Sequence, residues 1–279
     1  MNVMRLMKSI YPKRNPWSKK GDYGYVLVVG GCPMYSGAPA LNALAALRAG
    51  ADLSVIAGLT RAMNIAATFA PDLITIAFDD LFARDSIKEI VERSKKFDAL
   101  VIGSGMARSQ RSSDGIRALI RSINLPMVID AEAIRAVAGH TAIIRGKTAI
   151  LTPHEGEFKA LTGQTVNADM PKRGRVVKRW AQKLRVVILL KGHVDVISDG
   201  KEVHLNKTGS PFMTKGGTGD VLAGICSALL ARGVKPYDAA VAGAWINGKA
   251  GERAARKFGE GMFASDLVDC IPSVILRHS

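Results

Sequence analysis

The amino-acid sequence predicts an α/β protein of three layers, with helices on both faces of a mostly parallel central sheet. Two observations carry this expectation. Between residues 25 and 191, short apolar runs alternate with amphipathic stretches. Short strands separated by helices connect by crossovers, which sets neighbouring strands parallel. In addition, 48% of residues are apolar and 28 are glycine, whereas only 6% are aromatic. An interior of Ala, Val, Ile and Leu suits a sheet buried on both faces.

The elements follow in order. Residues 1–24 read as an irregular basic arm, because Pro12, Pro16 and two glycines interrupt regular structure. Apolar runs at 25–29, 52–57, 73–77, 99–102, 127–130, 149–151 and 186–191 are the expected strands. Helical patterns fall at 38–49, 85–95, 111–122, 132–138, 155–161 and 172–184. Ser36 suits a helix N-cap and Pro39 a first turn. Thr152 and Glu155 have the spacing of a capping box. Runs at 194–198 and 202–205 flank Asp199 and Gly200, a two-residue turn for a β-hairpin. Helices at 218–232, 236–257 and 264–270 complete the chain. No repeat or composition break divides residues 1–279, so a single domain is expected.

Charge and cysteine usage narrow the function classes. The formal net charge of +15 fits either a nucleic-acid binder or an enzyme acting on polyphosphates. The basic residues are spread along the chain, with modest clusters at 13–20 and 172–185. No zinc-finger spacing or aromatic RNA-binding signature accompanies them, which disfavours nucleic acid. Cys32, Cys226 and Cys270 are far apart and form no metal-ligand spacing. A reducing, cytoplasmic location is the expectation, with neither a signal peptide nor a membrane span.

The most informative segment is Lys215-Gly-Gly-Thr-Gly-Asp-Val-Leu-Ala-Gly224. Its glycines allow a sharp turn and close approach to a ligand, and a helix begins immediately afterwards. Free N–H groups and the positive helix end suit a phosphate or a developing oxyanion. Asp220 beside such a site either caps the helix or accepts a proton from a hydroxyl attacking a phosphoryl group. The chain contains neither a P-loop string nor a dinucleotide-binding glycine fingerprint.

The ordered motifs resemble the ADP- or ATP-dependent NAD(P)H-hydrate dehydratases, a branch of the ribokinase-like superfamily. They are Val28-Val-Gly-Gly31, Ser36-Gly-Ala-Pro-Ala-Leu41, Val101-Ile-Gly-Ser-Gly105, Val128-Ile-Asp130 and Leu151-Thr-Pro-His-Glu-Gly-Glu-Phe158. Further on stand Leu190-Lys-Gly-His-Val-Asp195, Asn206-Lys-Thr-Gly209, the 216–224 string and Ala264-Ser-Asp266. The Thr-Pro-His-x-Gly-Glu string is the most specific to the branch, whereas sugar and vitamin kinases share the glycine-rich one.

The resemblance implies a ribokinase-like fold and a repair reaction. The S epimer of hydrated NADH or NADPH is phosphorylated on its ring hydroxyl by ADP or ATP with Mg2+. Phosphate then leaves, restoring NAD(P)H. Asp220 would be the base, above an anion cradle of Gly217, Thr218 and Gly219. Lys191, Gly192, His193, Val194 and Asp195, with Asn206, Thr208 and Gly209, would surround the nucleotide. Ala38, Gly105 and His154 would line the hydrated-cofactor side, and Glu157 would help order magnesium indirectly. Asp130 stays outside the catalytic set. A homo-oligomer, ADP as donor, and a separate epimerase, with no fused epimerase domain, are also implied.

Two departures stand out. Ser210-Pro-Phe-Met213 replaces a common Asn-Pro-Gly-Met, so Phe212 is expected to narrow the loop near the nucleotide. Gly-Ser-Gly at 103–105 replaces Gly-Pro-Gly. Two rival readings remain at this point. One is a related kinase making a stable phosphate ester of a vitamin-precursor alcohol; the other is a basic nucleic-acid-binding protein on an enzyme scaffold.

Overall fold

The computed structural model describes residues 2–166 and 169–277. Among them, β1 (Tyr25–Val29), β2 (Leu53–Leu59), β3 (Ile74–Phe78), β4 (Ala99–Ile102), β5 (Met127–Ile129), β6 (Ala149–Leu151) and β7 (Val187–Leu190) run parallel. The strands β8 (Asp195–Ser198) and β9 (Val203–Asn206) extend the sheet antiparallel, giving the order β3-β2-β1-β4-β5-β6-β7-β8-β9. The order reverses between β1 and β4, which opens a crevice at their carboxyl ends.

The strand period of two sorts side chains onto two cores. Val26, Val28, Ala99 and Val101 face one side, where α2 (Gly37–Arg48), α9 (Thr218–Ala231), α10 (Pro236–Phe258) and α11 (Ala264–Leu276) pack. Leu27, Val29, Leu100 and Ile102 face the other. There α4 (Arg84–Ser94), α5 (Gln110–Ser122), α6 (Ala131–Val137), α7 (Glu155–Thr162) and α8 (Met170–Leu184) cover the sheet. The small residues of α2 and α9 let their backbones approach closely. A Cβ on Gly224 would lie 2.2 Å from the Asn42 carbonyl oxygen.

The N-terminal arm is not irregular throughout. Val3–Ile10 form α1, capped by the Asn2 side chain, which accepts from the Arg5 N–H at 3.2 Å. Val3, Leu6, Met7 and Ile10 recur at helical spacing, and Met7 and Ile10 are buried against the core. The prolines bound this helix instead of preventing it. A short helix missing from the sequence reading, α3 (Thr60–Ala66), follows β2.

Three local expectations change. Ser36 makes no side-chain cap, since its own backbone is helical. The hairpin loop spans residues 199–202, because Asp199 Oδ1 accepts from both Lys201 N and Glu202 N at 2.8 Å. Helix α11 continues past residue 270 through Pro272 to Leu276, drawn on by burial of Ile271 and Val274.

Candidate active site

The loops after β1, β4, β5, β6 and β7 converge at the carboxyl ends of the parallel strands. Two cavities of about 650 Å³ each open there. They share His154 and flank the glycine-rich start of α9. One is lined by Lys191, Gly192, His193, Asp195, Thr208, Gly209, Thr218 and Gly219. The other lies at the β1/β4 crevice and is lined by Ala38, Gly105, Glu157, Gly217 and Asp220.

Glycine is required at the helix start for two different reasons. Gly217, the N-cap, has φ +96°, and a Cβ there would lie 2.7 Å from Leu41 Cδ1 and 2.8 Å from Ala264 Cβ. At Gly219, a Cβ would stand 3.3 Å from Lys191 Nζ, so its absence lets the ammonium reach the helix end. The Thr218 hydroxyl braces the preceding loop, within 3.0 Å of the Met213 carbonyl and 3.1 Å of the Lys215 carbonyl. The first N–H groups of a helix have no intrahelical acceptor, which makes this a favourable place for phosphate.

Charge is concentrated around Lys191. Its Nζ lies 3.1 Å from Asp130 Oδ1 and 4.0 Å from Glu157 Oε2. Burial disfavours the ammonium, but Asp130, Glu157 and Asp220 outweigh it and hold its pKa above the ordinary lysine value. Arg173, itself buried, donates from Nη2 to the Lys191 carbonyl at 3.1 Å and bonds Glu155 through Nη1. It fixes the strand end that presents the lysine.

Asp220 behaves differently. Burial pushes its carboxyl up from 3.8 to about 7, and Asp130 adds to the rise, while the nearby Ser104 hydroxyl and Lys191 oppose it. A carboxylate titrating near neutrality is matched to general-base work. Asn42, fully buried on α2, donates from Nδ2 to the Asp220 carbonyl at 2.7 Å and ties the Asp220 backbone to the neighbouring helix.

His154 is the true cap of α7. Its Nδ1 accepts from Gly156 N at 3.0 Å and Glu157 N at 3.2 Å, while Glu157 Oε2 accepts from His154 N at 2.9 Å. The capping box is therefore His154 with Glu157, because the helix begins at Glu155. Thr152 instead donates to Asp130 Oδ1 at 2.7 Å. With Nδ1 accepting, the His154 proton sits on Nε2, 3.3 Å from Glu157 Oε1.

The predicted residues divide between the two cavities. Lys191, Gly192, His193, Asp195, Thr208, Gly209, Thr218 and Gly219 share one wall system; Ala38, Gly105, Gly217 and Asp220 share the other. Val194 and Asn206 line neither. Asn206 is buried and holds the loop, donating to Asp195 Oδ2 at 3.0 Å and accepting from Thr208 Oγ1 at 2.8 Å. Asp195 also accepts from Gly192 N at 3.1 Å, and burial raises its pKa despite these bonds. Phe212 does not line the cavity of Lys191, although its neighbours Pro211 and Met213 do; it packs against the cluster of Ala254, Ala255 and Met262.

Several residues escaped the sequence reading. Lys207, Lys215 and Asn247 line the first cavity, and the Asn247 amide oxygen is buried without a hydrogen-bond partner among the described residues. Arg108, Arg135 and Ala131 line the second. Ala131 has φ +47°, a strained conformation directly after Asp130. Only the polarity of Asn247, directly after the apolar run 239–246, offered a sequence signal.

A parallel sheet with a switch-point crevice, paired cavities and a glycine-rich helix start defines a ribokinase-like protein. The chain belongs to the NAD(P)H-hydrate dehydratase family, whose pattern residues 26–273 match. It is 44% identical to a bifunctional NAD(P)H-hydrate repair enzyme of Pyrobaculum aerophilum, over 94% of this chain and 52% of that protein. It thus spans about half the length of such bifunctional relatives. An ADP-dependent (S)-NAD(P)H-hydrate dehydratase of Cenarchaeum symbiosum is 40% identical, over 96% of this chain and 94% of that protein. The Bacillus subtilis ADP/ATP-dependent NAD(P)H-hydrate dehydratase, co-crystallized with ATP and Mg2+, superimposes with a TM-score of 0.82 at 28% identity and full coverage of both chains.

Proposed function

We propose that this chain dehydrates the S epimer of hydrated NADH or NADPH, with ADP as the phosphoryl donor. The observation that carries the reading is Asp220 on the wall of the β1/β4 crevice, in the first turn of the helix whose Thr218 and Gly219 line the neighbouring cavity with Lys191. The cavity along Lys191, Thr208 and Gly219 takes the nucleotide, and the crevice along Ala38, Gly105 and His154 takes the hydrated ring.

Asp220 removes the proton from the ring hydroxyl as its oxygen attacks the terminal phosphorus of ADP. The bond from phosphorus to the AMP oxygen breaks. Lys191 and the N–H groups at Gly217, Thr218 and Gly219 steady the charge on the transferring group. The phosphorylated ring then loses inorganic phosphate by carbon–oxygen cleavage. A proton leaves the adjacent carbon, and its electron pair forms the ring double bond. Hydroxide is a poor leaving group and phosphate a good one, which gives the first step its purpose.

No group of three or more His, Cys, Asp or Glu among the described residues is placed to hold a metal unaided. Mg2+, which keeps several waters and prefers phosphate oxygens, would be carried by the nucleotide, with Glu157 and Asp130 acting through water. It would supply charge neutralisation on the transferring phosphate.

No helix among the described residues is long and apolar enough to cross a membrane. We place the enzyme in the cytoplasm as a homo-oligomer, supplied with the S epimer by a separate epimerase or by spontaneous interconversion. The test is to incubate the chain with hydrated NADH and ADP. Dihydropyridine absorbance should return with AMP and inorganic phosphate in equal amounts. A stable phosphate ester without recovered absorbance would instead assign a small-molecule kinase.

A further inference from the structure

The proposed reaction leaves the basic N-terminal segment without a role. A third cavity of about 470 Å³ lies where the ends of α1, α2, α9 and α11 meet. Lys13, Arg14, Arg48 and Arg232 line it, and among the described residues no acidic one does. We propose that this cavity is a second anion site, built for a small phosphate-bearing molecule and separate from the active site.

Arg232 is its fixed element. The Nη1 and Nη2 atoms donate to the carbonyls of Gly50 at 3.0 Å and Ile10 at 3.1 Å. Its guanidinium lies 4.9 Å from the ring centroids of both Tyr11 and Tyr23. Its Nε is buried and has no hydrogen-bond partner among the described residues. Arg14, stacked 3.7 Å over Tyr23, also reaches the Gly50 carbonyl at 3.3 Å. These contacts hold two guanidinium groups together at one carbonyl.

The countercharge is incomplete. Arg14 lies 3.7 Å from Asp52 and Arg48 lies 3.4 Å from the exposed Asp269, yet neither carboxylate lines the cavity. Lys13 has no carboxylate within ion-pair distance among the described residues. Burial holds Arg232 below the ordinary arginine range, and Arg14 adds to this although Tyr11 opposes it. Carbonyl ends of α2 and α9 temper the positive field without cancelling four cations.

Guanidinium forks match phosphate oxygens, and four cations call for more than one negative charge. The concave shape and small volume suit a compact polyphosphate better than a nucleic-acid backbone, which needs an extended track. The site is also remote from the reaction. Arg232 caps the far end of α9 from Asp220, roughly 18 Å away at 1.5 Å per residue.

Calorimetric titration of the full chain with inorganic pyrophosphate tests the proposal. Binding should persist in Lys191→Ala and weaken on the order of tenfold or more in Lys13→Ala/Arg48→Ala. Both replaced side chains are exposed, so folding is retained; unchanged melting checks this. Arg232→Lys keeps the charge but removes Nε and the fork, and it should weaken binding as well. In the Lys191→Ala background, ADP binding as tightly as pyrophosphate would assign recognition to the phosphates, and tighter ADP binding would add the nucleoside; both support the site. Binding abolished by Lys191→Ala and untouched by Lys13→Ala/Arg48→Ala would overturn it. So would displacement of pyrophosphate by a short RNA that binds more tightly, or loss of binding at physiological chloride.

Discussion

Replacing Asp220 by Asn removes the site's titrating carboxyl while keeping nearly the same shape. Its pKa rises from 3.8 to about 7 on folding, chiefly through burial. The native state therefore holds a proton that the unfolded chain releases between those values. Stability falls as pH rises through that window, and above it the wild type carries the full cost of a charged Asp220. Three units at about 1.36 kcal/mol each set an upper limit of roughly 4 kcal/mol; partial solvation at the cavity wall reduces this to about 2 kcal/mol. Urea unfolding of both proteins from pH 4 to pH 8 measures it. The variant should match the wild type near pH 4, gain steadily to neutrality and stay level above. At the same time turnover should fall by orders of magnitude with nucleotide binding retained. An Asn variant of equal or lower stability at pH 8, or one turning over at near the wild-type rate, would refute the assignment.

Lys191→Met leaves Asp130 and Glu157 buried without their cation, so unfolding free energy at neutral pH should drop by about 3 kcal/mol. Lys191→Met/Asp130→Asn should recover much of that loss, while nucleotide affinity stays low in both. Gly217→Ala meets Leu41 and Ala264 at positive φ and should lower stability by about 1–3 kcal/mol. Gly219→Ala meets only the mobile end of Lys191, so denaturation should be nearly normal while kcat falls. Asn42→Ala removes the bond to the Asp220 carbonyl and should cost about 1–2 kcal/mol, with kcat falling and KM for the nucleotide unchanged.

Much of the fold was legible because strands β1, β4 and β6 are apolar runs bounded by glycine, threonine or aspartate, and their limits coincide with the sequence reading. The glycine-rich start of α9 and both of its flanking cavities were also foreshadowed by local strings. What escaped depends on distant partners. Asp130 stands 61 positions from the lysine that defines its role, and Asn42 stands 178 positions from Asp220. Neither relation has a local spacing. Helix α1 was different: its apolar residues at 3, 6, 7 and 10 were visible, but Pro12, Pro16 and the glycines of the segment favoured irregular structure.

The two readings of Asp220 left open by its sequence make opposite demands on its chemistry. A capping carboxylate accepts backbone N–H groups at the helix end, and those bonds favour its charged form, lowering its pKa. Here the cap position belongs to Gly217, which has no side chain, and Asp220 sits three residues inside the helix. Its pKa moves upward, so burial beside Asp130 prevails over the stabilising field of the helix end. The close contact of Gly224 with Asn42 fixes the helix that carries it, so the carboxyl cannot relax outward by sliding. A carboxyl held against Asp130 on the wall of the β1/β4 crevice, with its pKa raised to about 7, has the properties that deprotonating a hydroxyl requires.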